Sequence, residues 1–254
     1  MAPDVDELIP EWREFREAVS ARRPDQGTAC SAWTVRDIVA HNAGNAEELG
    51  RVLLAHLMGE PVPPTRSFED REPRFRNLPD ADLIRALDGE LDELVKVLDE
   101  ATRVDPDELV PWTGRQMKVA WFAEHMREEL ILHRWDVVGD DEISTQYLGQ
   151  PWLTEHSVLA VGAPLLRKGA SSLDEHDQLR ARVRAQSRPD VIVEASSGVA
   201  AITLGQQEDD AVIHTDPAAR VLLLWGRQPT DPGRMTSAAG PSVLGQLRSV
   251  LAGY

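Results

Sequence analysis

Apolar residues recur at helical spacing through the first half of the chain. Leu8, Trp12, Phe15 and Val19 fall at i, i+4, i+7 and i+11, one face of a first helix that starts near residue 4 and that Pro24 and Gly27 end. A second helix is expected after Thr34, whose hydroxyl can cap the first free amides while Asp37, three residues on, completes a variant of the capping box. It runs to Met58-Gly59. A third helix carries Leu83, Leu87, Leu91, Leu94 and Leu98, with Asp105-Pro106 on its far side, and a fourth spans Gln116 to Val138. Residues 61–79 hold five prolines together with Arg66, Glu69, Asp70, Arg71, Glu72, Arg74 and Arg76, which reads as a long exposed connection, possible as a lid. No stretch up to residue 138 alternates as a strand should. Four amphipathic helices with one long crossover predict a helical bundle.

The pattern changes after Gly139-Asp140-Asp141. A helix over Trp152 to Leu166 precedes segments of strand character at Leu179 to Gln186, Val191 to Val193, Val199 to Leu204 and Ala211 to His214, with Ser196-Ser197-Gly198 as a hairpin connection. Asp216-Pro217 opens a helix through Ala218 to Trp225 that Gly226 ends, and a last helix covers Ser242 to Ala252. The expected fold class is α+β, with a helical bundle over residues 1–145 and a small α+β domain over 146–254.

Composition narrows the function classes. The chain has 254 residues and a formal net charge of −16, with no Lys/Arg run, which argues against a phosphate-binding nucleic-acid protein. No apolar stretch approaches the roughly 20 residues of a membrane span, and Met1-Ala2-Pro3-Asp4 lacks the basic start of a signal peptide, so a cytoplasmic protein is expected. Cys30 is the single cysteine, which excludes internal disulfides and multi-thiolate metal sites. All basic residues except Lys96, Lys118 and Lys168 are arginine, a bias typical of a GC-rich bacterial genome.

The candidate chemistry lies on the second and fourth helices. On a wheel of 100° per residue His41, Asn42 and Asn45 project with the buried Ile38, Leu49, Val52 and Leu53, while Phe122, His125, Glu129, His133 and Asp136 share one stripe. Buried ionisable groups need partners. Glu129 and His133 stand one turn apart, and with His41 they make two imidazoles and a carboxylate, enough for a catalytic metal with an open fourth position. The other reading of the same spacing is an intrahelical Glu129–His133 charge pair beside a core histidine.

Two segments carry a resemblance. Ala32-Trp33-Thr34-Val35-Arg36-Asp37-Ile38-Val39-Ala40-His41 and Arg127-Glu128-Glu129-Leu130-Ile131-Leu132-His133-Arg134-Trp135-Asp136-Val137 resemble the mycothiol-dependent maleylpyruvate isomerase family, one of the DinB-like helical bundles. Asp216-Pro217, Leu222-Leu223-Leu224-Trp225-Gly226-Arg227 and the closing Leu-rich helix resemble that family's sterol-carrier-like second domain.

The resemblance implies zinc held by His41, Glu129 and His133, with Asp136 orienting a ligand or handling a proton, and Arg227 gripping an acidic substrate. It implies mycothiol, an actinobacterial thiol, as co-substrate. In the isomerase reaction the thiolate adds to a conjugated cis double bond, the bond rotates and the thiol leaves. His125, Asn42 and Asn45 are candidate contacts to thiol or substrate. Arg220 and Arg234 are further candidates for an anion, against a bland reading as solvated surface. Cys30 is expected as a buried structural thiol, and Trp135 as the tryptophan lining the pocket. Partners are thus a small-molecule thiol and an acidic small molecule, with the chain a monomer or homodimer. Competing functions are mycothiol conjugation or thiol exchange in natural-product or detoxification metabolism, a non-catalytic small-ligand-binding protein, and a DinB-like zinc hydrolase with Asp136 as base.

Overall fold

The computed structural model describes residues 4–171, 173–174, 178–197, 199–207 and 212–251. Met1, Ala2, Pro3, Gly198, Ala211 and Ala252, to which the sequence pattern gave roles, lie outside them. The chain divides into two compact units, up to Gly139 and from Asp140 onward. The first is helical and the second combines helices with a sheet, an α+β protein as the hydrophobic pattern indicates.

In the first unit the opening helix is split into α1 (Val5–Leu8) and α2 (Trp12–Ser20). Pro10 explains the break, because a residue before proline is driven out of the helical region, and Ile9 sits at φ −132° and ψ 64°. Helix α3 (Val35–Leu57) begins at a reciprocal capping box: the Asp37 amide donates to Thr34 Oγ1 at 3.3 Å and the Thr34 amide donates to Asp37 Oδ2 at 2.9 Å. It ends at Gly59, whose φ of 68° suits a residue without Cβ.

Helix α6 (Asp80–Val104) lies along α3, burying Leu83, Leu87, Leu91, Leu94 and Leu98 against Ile38, Leu49, Val52 and Leu53. Helix α7 (Val119–Val138) closes the bundle, and Arg127 on it donates twice to the buried Glu11 carboxylate, at 2.7 and 2.8 Å.

Two expectations for this unit are corrected. Residues 109–118 form an antiparallel hairpin, β1 (Leu109–Trp112) and β2 (Arg115–Lys118), where no strand is expected, and Gln116 to Lys118 belong to β2 rather than to the fourth helix. Its two-residue turn, Thr113-Gly114, takes positive φ at both positions, the geometry that matches strand twist, while Val110, Trp112 and Met117 alternate inward. Residues 61–79 are not simply an exposed connection. They fold into two short helices, α4 (Phe68–Arg71) and α5 (Pro73–Arg76), and bury Arg71, Glu72 and Phe75. Arg71 Cγ and Glu72 Cγ come to 3.4 Å from where a Cβ on Gly44 would stand, so this strap is seated directly on α3.

The second unit starts with α8 (Glu142–Leu148), capped by Asp141, and α9 (Pro151–His156), which passes through a π-helical turn at Ser157–Gly162 into α10 (Ala163–Ala170). Among the described residues five strands follow: β3 (Gln178–Ala185), β4 (Asp190–Ser196), β5 (Val199–Gly205), β6 (Ile213–Thr215) and β7 (Met235–Ser237). They lie in the order β5-β4-β3-β6-β7, antiparallel except for the β3/β6 pair. The short edge strand β7 was not foreseen. Helix α11 (Pro217–Leu224), capped by Asp216 Oδ1 on the Ala219 amide at 2.9 Å, and helix α12 (Pro241–Leu251) complete the unit. A Cβ on Gly169 would meet the Val250 carbonyl oxygen at 1.9 Å, so only glycine lets α10 approach α12 this closely.

Arginines organise this unit. Arg220 is fully buried, donates to the Pro189 carbonyl at 2.6 Å and to Thr154 Oγ1 at 3.4 Å, and burial lowers its pKa to about 10. Arg234 pairs with Asp216 at 2.7 Å and with Asp140 at 3.0 Å. Neither is merely solvated surface. Arg184 and Arg182 donate to the buried Asp190 carboxylate at 2.7 and 3.2 Å. Burial pushes that carboxyl up, but the two guanidiniums outweigh it and hold its pKa below the ordinary value. The stabilisation is therefore present above the unfolded carboxyl pKa and lost as pH falls through the lowered folded one. Asp190→Asn is expected to lower stability at pH 7 by roughly 1.5–3 kcal/mol, the usual scale for hydrogen bonds to a charged group. The gap between variant and wild type should close below about pH 4; urea midpoints measured from pH 7 to 3 test it, and a gap constant across that range contradicts it.

Candidate metal centre

His41 comes from the first third of α3, and Glu129 and His133 from successive turns of α7. All three are at least 95% buried. Their donor atoms converge within 4.8 Å of one another: His41 Nε2 lies 3.2 Å, and His133 Nε2 3.3 Å, from the same Glu129 oxygen, Oε2. Zinc ligands held at about 2.0–2.1 Å in a tetrahedron stand roughly 3.3 Å apart, so these separations suit one small cation.

The outer nitrogens are fixed as well. His41 Nδ1 is 2.8 Å from Glu72 Oε1, and His133 Nδ1 is 2.9 Å from Asp136 Oδ2. An imidazole that donates its Nδ1–H to a carboxylate presents the lone pair of Nε2, and that is the tautomer a metal requires. Asp136 thus reaches the back of His133 and holds that ring.

The charge distribution suits the same donor chemistry. Glu72, Glu129 and Asp136 put three buried carboxylates around two imidazoles, and the Arg76 guanidinium reaches Glu72 Oε2 at 2.7 Å and pairs with Asp37 as well. Protons on the imidazoles or a divalent cation between them would offset the negative charge of these carboxylates. Consistently, burial pushes the Glu129 carboxyl up, but the imidazoles of His133 and His41 outweigh it and hold its pKa well below the ordinary value. For His133, burial works against the charged form, and Asp136 and Glu129 outweigh it to raise the pKa.

Aromatic rings wall the centre. Trp33, half-buried just before α3, packs over His41 with ring centroids 4.7 Å apart and over His133 at 5.6 Å, and Phe68 on the strap meets His41 edge-on at 5.1 Å. Trp33 therefore covers both imidazoles.

The other candidates are dispersed. His125 approaches the opposite Glu129 oxygen, Oε1, at 3.8 Å and packs against Trp112 at 5.8 Å, so it stands outside the convergent triad. Asn42 donates back to the Ile38 carbonyl within its own helix at 2.9 Å. Its Oδ1, and Nδ2 of Asn45, are buried with no hydrogen-bond partner among the described residues. Arg227 is half-buried in the second unit, where it follows Gly226 (φ 68°) and donates to the Trp225 carbonyl at 3.3 Å. Cys30 is only half-buried, less than a structural core thiol would be. Glu72 is the residue that sequence reasoning missed. The signal lay in the apolar Phe68 and Phe75 and the Glu72-Pro73 helix start within an otherwise charged stretch.

A helical bundle that buries a two-histidine, one-carboxylate cluster, followed by an α+β unit, defines the class. Residues 5–138 match the mycothiol maleylpyruvate isomerase N-terminal domain, and the chain belongs to that family. Two solved structures share the fold, the mycothiol-dependent maleylpyruvate isomerase and a point mutant of it. Each has a TM-score of 0.62 and 16% identity, covering 94% of this chain and 95% of its own. No curated protein matches the chain. Among the described residues no helix is long and apolar enough to cross a membrane.

Proposed function

We propose that the protein is a cytoplasmic, zinc-dependent enzyme that uses mycothiol as thiol co-substrate on a small acidic electrophile. The reaction is maleylpyruvate-isomerase-like cis/trans isomerisation or thiol transfer. The observation that carries the reading is the convergence of His41 Nε2, His133 Nε2 and Glu129 Oε2 with both outer imidazole nitrogens anchored on carboxylates. In this reading His41, Glu129 and His133 hold the metal, which when bound lowers the pKa of a coordinating thiol and so makes a thiolate available near neutral pH.

The chain's own residues set the conditions. Asp136, whose Oδ2 faces His133 Nδ1, keeps the His133 ring in one orientation and tautomer. Trp33 and Phe68 give the imidazoles apolar neighbours and restrict water there. Asn45 and Asn42 retain unanswered buried amide atoms one turn or less from His41, suited to polar groups of the thiol, and His125 borders Glu129 from the far side. Arg227 supplies the guanidinium for a substrate carboxylate.

Titration with mycothiol at 100 times its dissociation constant is expected to stabilise the zinc-loaded protein by about 2.7 kcal/mol, read as a rise in Tm. Zinc-loaded protein with an unmoved Tm at millimolar mycothiol would sink the thiol-dependent reading.

A further inference from the structure

We propose that Glu72, carried on the strap between α3 and α6, is a positioning residue for the metal centre, acting through His41 and making metal affinity depend on how the strap is seated. This rests on the reading of His41, Glu129 and His133 as a metal site.

Glu72 lies in a segment whose composition suits solvent, yet it is 2% exposed. Its two oxygens have separate duties. Oε1 is 2.8 Å from His41 Nδ1, and Oε2 accepts from Arg76 Nε at 2.9 Å and from Arg76 Nη2 at 2.7 Å. Arg76 in turn pairs through Nη1 with Asp37 Oδ1, while Asp37 Oδ2 takes the Thr34 amide in the capping box of α3. The helix that carries His41 is therefore tied at its start, and at His41 itself, to one arm of the strap. Packing holds that arm in place: Phe75 is buried in the bundle core, and Glu72 Cγ lies 3.4 Å from the Cβ position of Gly44, one turn past His41.

The two N–H donors of Arg76 on its second oxygen favour the carboxylate form of Glu72. An ionised acceptor at Nδ1 fixes the tautomer with a bare Nε2, holds the ring plane and raises the basicity of the donor atom. Asp136 does the same for His133 from within α7, three residues away. Glu72 differs because it belongs to another element, so loosening the strap loosens one ligand and leaves the other two in place.

The test is zinc affinity by competition with a chromophoric chelator, read beside the Tm of the metal-free protein. Glu72→Ala is expected to weaken zinc binding by roughly 10–100-fold, the usual cost of losing such an outer partner. Glu72→Gln, which keeps an acceptor oxygen at Nδ1, should recover part of that loss. Arg76→Ala, which leaves Glu72 in place but frees its second oxygen, should fall between wild type and Glu72→Ala, and it carries the test if Glu72→Ala does not fold. Zinc affinity within twofold of wild type in folded Glu72→Ala overturns the proposal while leaving the metal site standing. Equal losses in the Gln and Ala variants, tracking an equal fall in metal-free Tm, overturn it in favour of a purely structural residue. A wild-type protein that binds no zinc overturns both this proposal and the reading beneath it.

Discussion

His133→Ala is expected to reduce the zinc of the purified protein from about one equivalent per chain to a small fraction, and thiol-dependent turnover with it. The substitution removes Nε2, one of the two nitrogens 3.2–3.3 Å from Glu129 Oε2, and strips the buried Asp136 carboxylate of the ring it faces at 2.9 Å. Two donors remain, too few for a three-ligand catalytic site. The loss of activity should exceed the roughly 10²–10³ that follows removal of one oxyanion-hole donor, because here the group expected to supply the nucleophile is itself lost. Glu129→Gln should behave similarly for a different reason. It keeps the shape but replaces the anion that the two imidazoles converge on with an amide, a poorer ligand. Elemental analysis decides the matter, with far-ultraviolet circular dichroism to show that the variants fold. Equal zinc in wild type and folded His133→Ala removes the metal site from the proposal.

The features legible in the sequence are those whose physics is local. The capping box at Thr34 and Asp37 involves four consecutive residues and is found where the pattern placed it. The leucines of α6 and the polar stripes of α3 and α7 follow from helical spacing, which places His41, Glu129 and His133 on buried faces. What was missed depends on residues far apart in the chain. The β1/β2 hairpin hid behind Pro111, a poor strand residue tolerated in a two-stranded ribbon, and behind Thr113, which adopts a φ of 44° that threonine seldom takes. The strap looked exposed because its charges were counted and their partners were not: Glu72 is answered by His41, 31 positions earlier, and Arg76 by Asp37, 39 positions earlier. Arg220 is a further case, since only the fold supplies the Pro189 carbonyl that lets a guanidinium be buried.

The same partners sharpen the meaning of a net charge of −16. An acidic protein repels an acidic substrate at long range, and the three carboxylates around the imidazoles make the centre more negative still. A divalent cation reverses the local sign only to about neutrality. The proposed acidic substrate therefore calls for a separate cation, the role proposed for Arg227.

Arg227→Ala is expected to raise KM for a carboxylated substrate and to lower kcat/KM by about 10–100-fold, the equivalent of 1.5–3 kcal/mol for a charge-assisted hydrogen bond, while zinc content stays near wild type. Arg220 and Arg234 serve as its controls. Arg220 donates to a backbone carbonyl and to Thr154 from full burial, and Arg234 bridges Asp216, the cap of α11, to Asp140. Removing either should lower Tm, because a buried carbonyl or a capping carboxylate loses its partner. In folded protein each should leave KM within about twofold, the scatter expected of a change outside the site. Arg227→Lys separates charge from shape: a guanidinium grips a carboxylate with two parallel N–H donors and an ammonium with a single point charge, so lysine should restore only part of the lost kcat/KM. The comparison is best run with two thiol acceptors that differ in one carboxylate. Arg227→Ala should penalise the acidic acceptor and spare the neutral one. An equal penalty on both, or an unchanged KM beside a lowered Tm, assigns Arg227 to the structure of the second unit and leaves the acidic substrate without its proposed anchor.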